Sequence, residues 1–321
     1  MKLRTVLVLT LVWLAFSPSR ADAEKPLTIV VAYSAGGSTD VIARLIGARL
    51  RERLGRPVII EDKPGATGQI GTRYVARAEP DGNTLQIAAQ TTHAVAPALY
   101  SNLGYDPAKD FTPIILVAWS PLVLVCNPAL PVSSVKELVD YIKSRPGEIN
   151  YATGGRGDGS HLAALLFNKL AGIEPVAVPF QGDGQALPQV LGNHVPYMFL
   201  GIPPSASAIA AGQLKALAVT SKVRASVLPD VPTIEEAGLP SYEVVNWWGF
   251  FGPAGMSAEL VASLNQTLGE IIKEPALRSK LNLLGYELTG STPEEFKNYL
   301  AADTLKWAEV IRSQGLKAEQ N

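Results

Sequence analysis

Two hydrophobic periods alternate along this chain. Leu27-Thr-Ile-Val-Val-Ala-Tyr33 is an apolar, β-branched run, the pattern of a buried strand. After the turn Ser34-Ala-Gly-Gly-Ser-Thr-Asp40 the period becomes helical. Val41, Ile42, Leu45, Ile46, Leu50 and Leu54 share one face, and Gly55 and Pro57 stop the helix. Val58-Ile-Ile-Glu61 is the next strand. The same order returns later in the chain. Glu148 to Thr153 predicts a strand, Gly154-Gly-Arg-Gly-Asp-Gly-Ser160 a glycine-rich turn, His161 to Ala171 a helix ended by Gly172, and Pro175 to Phe180 a second strand. Strand, glycine turn, helix and strand make a βαβ unit with parallel strands. One such unit in each half predicts two similar α/β lobes.

Other segments extend this reading. Thr84 to Ala89, Pro121 to Cys126 and Leu214 to Thr220 predict strands. Val132 to Lys143 predicts a helix stopped by Pro146-Gly147, and Ser257 to Ile272 an amphipathic helix with Ser257 as N-cap. Thr292-Pro-Glu-Glu295 begins the last helix, with Thr292 as N-cap and Pro293 in the first helical position. Chain crossings are expected near residues 120–127 and 220–245. They divide the chain into lobe 1, residues 24–124 and 241–321, and lobe 2, residues 125–240.

The N-terminus changes the compartment. Lys2 and Arg4 precede an apolar run from Thr5 to Phe16, and a small polar stretch ends in Ala21-Asp22-Ala23. That is the pattern of a cleaved signal peptide over residues 1–23, and the run is too short to span a bilayer, which takes roughly 20 apolar residues. Cleavage after Ala23 leaves 298 of the 321 residues, and losing Lys2, Arg4, Arg20 and Asp22 moves the formal charge from −1 to −3. A mildly acidic exported chain without a basic run is not built for nucleic acid. Cys126 is the single cysteine, so no internal disulfide is possible. Its apolar strand makes it a small buried hydrophobe rather than a nucleophile.

The candidate chemistry lies in the turns. In open parallel sheets, ligands bind beyond the carboxyl ends of strands, where helices begin with unpaired N–H groups and partial positive charge. Glycine lets an anion approach that backbone. Residues 34–40 and 153–160 are two such turns, and Gly182 to Gly184 is a candidate third. Facing each other across a cleft, they would grip the two ends of a dicarboxylate. Ser38 and Thr39 either cap the first helix or touch ligand. Asp40 either braces the loop by accepting N–H bonds or meets an ammonium group. Arg156 suits bidentate contact with a carboxylate, or pairs with Asp158. Enzyme motifs are absent: there is no P-loop, no G-x-S-x-G and no H-E-x-x-H. His93, His161 and His194 stand apart in sequence, so neither a metal site nor a cofactor is expected. Ser160 beside His161 is the one nucleophile–base pair available to a secreted α/β hydrolase. Trp247-Trp248-Gly249-Phe250-Phe251 reads as core or hinge packing, with one ring able to wall a cleft.

Seven ordered blocks resemble the Bug family, the substrate-binding proteins of tripartite tricarboxylate transporters. They include Ala35-Gly-Gly-Ser-Thr-Asp-Val-Ile-Ala-Arg44, Lys63-Pro-Gly-Ala-Thr-Gly-Gln-Ile-Gly71, Pro80-Asp-Gly-Asn-Thr-Leu85, Gly157 through Ser160-His-Leu162, and Trp247-Trp-Gly249 through Pro253-Ala-Gly255. The resemblance implies an α/β, two-lobed type II periplasmic-binding-protein fold with a hinge and an interlobe cleft. It implies a monomeric periplasmic protein that captures a small carboxylate for a membrane transporter, or for a sensor subunit. Ligand contacts are implied at Tyr33, Ala35, Gly36, Gly37, Ser38, Thr39 and Asp40 in the first loop, at Thr91 and His93, and at Thr153, Gly154, Arg156, Gly157 and Ser160 in the second. The chain departs from the family pattern in three places. Ser34 stands where proline is common, and Phe180-Gln181 where tyrosine-lysine is common. Leu200 stands where many members carry an aspartate able to hold an ammonium. The last departure argues against an amino-acid ligand, and Leu200, Phe180 and Tyr33 together suggest a partly apolar pocket for an aliphatic or aromatic acid.

Overall fold

A computed structural model describes residues 25–313 apart from Arg156 and Gln181. The segment expected to be a signal peptide, residues 1–23, and Arg156 lie outside the described residues.

The first βαβ unit forms as its hydrophobic periods dictate. Strand β1 (Leu27–Val31), helix α1 (Ser38–Leu54) and strand β2 (Val58–Asp62) follow in order, and β1 pairs in parallel with β2. Ile42, Ala43, Ile46 and Leu50 of α1 are buried against the sheet, and Gly55 ends the helix in the left-handed conformation. Helix α2 (Gln69–Ala76) leads to β3 (Thr84–Ala89), parallel to β1 on its other side. A π-helical turn over Thr91–Val95 and the short α3 (Ala96–Leu99) connect to β4 (Phe111–Cys126), a strand of 16 residues.

The second unit repeats the plan. After α4 (Val135–Lys143) come β5 (Asn150–Thr153), α5 (Gly159–Ala171) and β6 (Val176–Pro179), with β5 and β6 parallel. Then follow α6 (Asp183–Leu191), β7 (Tyr197–Gly201), α7 (Ile202–Ala210) and β8 (Lys215–Val219). The chain returns through β9 (Val245–Pro253), α8 (Ala258–Ile271), α9 (Pro275–Leu283), the two-residue β10 (Glu287–Leu288) and α10 (Pro293–Ser313). Ser257 caps α8 by accepting the Leu260 N–H at 3.2 Å. Thr292 and Glu295 form the reciprocal capping box that opens α10.

Strand order is β2-β1-β3-β9-β4-β7-β5-β6, with β8 and β10 also paired to β4. Antiparallel β4 joins the halves. Its residues from Phe111 to Pro121 pair with β9, and from Leu122 to Cys126 it pairs with β7, with β8 alongside from Val123. Proline cannot donate to a ladder, so it marks irregular points in a strand. Pro121 sits where β4 exchanges partners. There Leu122 N–H donates to Thr220 Oγ1 at 2.7 Å, Thr220 N–H donates to Leu122 O at 2.9 Å, and Val244 N–H donates to Thr220 O at 2.9 Å. The run from Pro121 to Cys126 is thus the second half of a longer strand. Cys126 is fully buried in it, and burial pushes its thiol up to about 11.

Helix α10 braces the centre. Asp303, 4% exposed, accepts hydrogen bonds from Trp247 Nε1 at 2.8 Å and Gln90 Nε2 at 3.0 Å, and pairs with Lys306 at 2.8 Å. Replacing Asp303 by Ala strands two buried donors, which costs about 3 kcal/mol. Asp303→Ala is expected to show that loss in urea unfolding, and Asp303→Asn, which keeps an acceptor, a smaller one.

Candidate binding site

A cleft of about 820 Å³ opens where both βαβ units end. Its walls include the start of α1, the residues after β3, the crossing on β4, and the first residues of α5, α6 and α7. Ser120, Leu122, Asn246, Trp248 and Tyr286 form the part between the halves.

The α1 side is a preset loop. Gly36 takes φ +83°, a conformation that suits glycine, and Gly37 is the N-cap with no side-chain cap bond. Ser38 and Thr39 are therefore helical residues rather than caps. Their N–H groups sit at the helix start, where no intrahelical acceptor exists. Both residues line the cleft. The Thr39 hydroxyl accepts from Trp248 Nε1 at 3.0 Å, which ties the helix start to the Trp248 ring. Asp40 braces the loop. It accepts Gly36 N–H at 2.7 Å and pairs with Arg44 at 2.7 Å, and Arg44 in turn reaches Asp62 at 2.9 Å. Burial works against ionisation of Asp40, but the Arg44 bond and the Gly36 amide outweigh it and hold its carboxyl below the usual range. The Tyr33 hydroxyl bonds to Thr91 across the same wall.

The second-lobe wall is different. Asp158 caps α5: its Oδ1 accepts His161 N–H at 2.8 Å and the Ser160 hydroxyl at 2.8 Å. Ser160 Oγ also accepts Gly154 N–H at 2.9 Å, and His161 Nδ1 accepts Gly157 N–H at 3.0 Å. Ser160 and His161 are thus bonded to other groups and not to each other as a nucleophile–base pair. Asp158 and Asp183 both line the cleft. Burial, with the nearby Asp183 charge, raises Asp158 to about 7 despite its hydrogen bonds, and burial raises Asp183 to about 6.

The expected contacts divide. Tyr33, Gly36, Gly37, Ser38, Thr39, Thr91 and Ser160 line the cleft. Ala35 is exposed on the loop outside that lining, and Asp40 lies buried beneath the loop. His93 is fully buried between Phe111 and Phe251, which drives its imidazole down to about 3, and it is not part of the cleft lining. Thr153 is buried, and Gly154 and Gly157 shape the turn without facing the cavity. Leu200 is fully buried in the apolar cluster behind β7, and Phe180 packs against that same cluster. Of the three residues expected to make the pocket apolar, only Tyr33 does. Val41, Ala89, Leu122, Pro203, Pro204 and Trp248 supply the remaining apolar wall. The Trp248 ring fits the reading of the aromatic run as partly cleft-lining, whereas Trp247 is core. Asp183 lies in the candidate third turn, Gly182 to Gly184, whereas Asn246 and Tyr286 carried no signal in sequence, because only the return of β9 and β10 to the crossing brings them there. Among the described residues no three His, Cys, Asp or Glu side chains gather as a metal cluster.

Two α/β halves joined through one shared strand, with a cleft at the helix starts, define a two-lobed periplasmic binding protein. The chain belongs to the tripartite tricarboxylate transporter family receptors, whose family model matches residues 42–316. Protein BugT of Bordetella pertussis is 32% identical over 304 residues, covering 94% of this chain and 93% of BugT. Among solved structures, Rpa4515 of R. palustris with adipate has a TM-score of 0.80 at 36% identity, covering 92% of this chain and 99% of that one. MatC (Rpa3494) of Rhodopseudomonas palustris with bound malate has a TM-score of 0.74 at 35% identity, covering 89% and 98%.

The raised acids have a consequence for stability. The folded chain keeps protons on Asp158 and Asp183 that the unfolded chain has released above about pH 4. Stability from these groups is therefore present below about pH 4 and lost as pH rises through about 6 to 7. His93 acts oppositely, since it is held neutral in the fold, so a comparison of variants separates the two. Asp183→Asn is expected to raise the melting temperature more at about pH 7.5 than at about pH 5, read by differential scanning calorimetry.

Proposed function

We propose that this protein captures a small carboxylate in the cleft and presents it to a tripartite tricarboxylate-type transporter. The carrying observation is the start of α1. Ser38 and Thr39 line the cavity at a helix N-terminus braced from behind by the Asp40, Arg44 and Asp62 network. A carboxylate docked there meets N–H donors and the positive end of the helix dipole. Gly36, Gly37, Tyr33 and Thr91 shape the surrounding wall, Ser160 and the α5 start form the opposite one, and Arg156 is a further carboxylate partner. Closure of lobe 2, residues 125–240, onto lobe 1, residues 24–124 and 241–321, would turn about the crossing at Leu122 and Thr220. Binding then shifts the population from open to closed. The adipate and malate bound by the two R. palustris relatives support a small-acid ligand. Residues 1–23 would direct export, with the ligand met in the periplasm. Among the described residues no helix is long and apolar enough to cross a membrane; the proposed recipient is a separate membrane subunit. A sensor subunit is the alternative recipient.

Ser38→Pro tests the site. Gly37 at φ −76° and ψ 170° suits the residue before a proline, and Ser38 occupies the first helical position, where proline is well tolerated. The change removes one N–H donor facing the cleft and leaves the fold intact. The variant is expected to match the parent in melting temperature yet bind its carboxylate about tenfold or more weakly, as for a lost hydrogen bond to a charged group. Ser38→Ala, which keeps the N–H, is expected to retain most affinity. Equal affinity of all three in calorimetric titration would remove α1 from the site.

A further inference from the structure

Trp247 and Trp248 are neighbours on β9, and alternation along a strand sends their rings to opposite faces. A buried indole N–H needs an acceptor. Trp247 gives its N–H to the Asp303 carboxylate of α10, in the core. Trp248 gives its N–H to the Thr39 hydroxyl at 3.0 Å, 209 residues away in sequence, and both residues line the cleft. The Trp248 ring has little freedom to adjust. Its backbone is paired on both sides, with Ala89 of β3 and with Ala118 of β4. The Tyr286 ring meets it edge-on, at 5.3 Å between centroids and 87° between planes.

Thr39 uses its hydroxyl in an unusual way for a helical threonine. Inside α2, α8 and α10, Thr72, Thr267 and Thr304 donate the hydroxyl proton to the carbonyl four residues back, at 2.8, 2.9 and 2.8 Å. Thr39 is the second residue of α1, so that carbonyl belongs to the entering loop, and among the described residues its hydroxyl only accepts. A hydroxyl has one proton to donate and two lone pairs to accept with. With the indole N–H bound to the oxygen, the proton points away from the Trp248 N–H, and the cleft is the open side that Thr39 lines. A donor set in this way stands at the same helix start whose amides carry partial positive charge. It needs no search of rotamers to meet a carboxylate oxygen, so less freedom is lost on binding. Accepting one hydrogen bond also strengthens the one that the hydroxyl donates.

We infer that Trp248 is a positioning residue for carboxylate capture: its indole N–H fixes the Thr39 hydroxyl so that the proton is presented to a carboxylate docked at the start of α1. This assignment rests on carboxylate capture at α1 as the protein's function. It gives the second tryptophan of the pair a part in that capture beyond walling the cleft.

The test is calorimetric titration of the purified protein, freed of bound ligand by unfolding and refolding, with melting temperatures read for every variant. The probes are dicarboxylates of four to six carbons and benzoate, and the acid that the parent binds tightest is carried through the series. Thr39→Val, which keeps the shape without the hydroxyl, is expected to weaken that acid about tenfold or more, as for a lost hydrogen bond to a charged group. Trp248→Phe, which keeps an aromatic ring without the N–H, is expected to weaken it about fivefold, within the range of coupling between bonded side chains. In a Thr39→Val background Trp248→Phe is expected to cost nothing further. Thr39→Ser, which keeps the hydroxyl, is expected to bind as the parent does. A Trp248→Phe variant with a lowered melting temperature and unchanged affinity would make the bond structural and overturn the inference. Losses from Trp248→Phe and Thr39→Val that add in the double variant would also overturn it, as would a Thr39→Val variant that binds like the parent. Each of these results leaves carboxylate capture by the α1 amides standing. Failure of the parent to bind any of the acids would bring down the carboxylate reading itself, and the inference with it.

Discussion

One strand belongs to two sheets, and the rest of the molecule is arranged around that fact. Strand β4 gives its first part to β9 and its second part to β7 and β8. A buried backbone must keep its N–H and C=O groups paired. At the exchange point this is done partly with a side chain, since Leu122 N–H donates to the Thr220 hydroxyl rather than to a ladder carbonyl. A hydroxyl can follow small rotations that a fixed carbonyl cannot. The connection thus stays satisfied at the point about which the proposed closure would turn.

The same topology decides where the helices start. Parallel strands β1 and β5 in the two halves, with β3 and β7 beside them, end toward the crossing. The helices that follow β1, β5, β6 and β7 begin around a single cavity, contributed by Ser38, Gly159, Asp183 and Pro203. Each start carries partial positive charge and unpaired amides. The side chains around that shared field distinguish the walls. Thr39 and Trp248 leave the α1 amides open, whereas Asp158 uses the α5 start for its own cap, and the prolines of α7 remove donors outright.

Both βαβ units were legible in the sequence, because a buried parallel strand and an amphipathic helix have different periods and glycine turns separate them. The caps at Ser257 and Thr292 were equally plain. The full length of β4 was not. Pro113 and Pro121 interrupt its pattern, and register shifts near Ile115 and Ala118 break the alternation that marks a strand. The site was half legible for a related reason. Loop glycines, Ser38 and Thr39 announce a helix start, but the depth of a side chain is set by distant partners. His93 follows a cleft residue by two positions and is nonetheless stacked on Phe251, from a strand more than a hundred residues away. Leu200 precedes the cleft-lining Gly201, yet alternation along β7 turns it into the core.

Asp40 and Asp158 show how one residue type at two helix starts yields opposite local fields. Asp40 is the third residue of α1, and Asp158 is the N-cap of α5. Asp40 is buried with Arg44 bonded to it, and Arg44 also reaches Asp62, so its charge is absorbed in a network directed away from the cavity. The α1 amides then face the cleft with their polarity intact. Among the described residues Asp158 has neutral donors in Ser160 and His161 N–H, with Asp183 close by. Hydrogen bonds from neutral groups do not offset burial there, and its pKa moves up where that of Asp40 moves down. The pairing of Asp40 with Arg44 is what leaves the positive end of α1 facing the cleft.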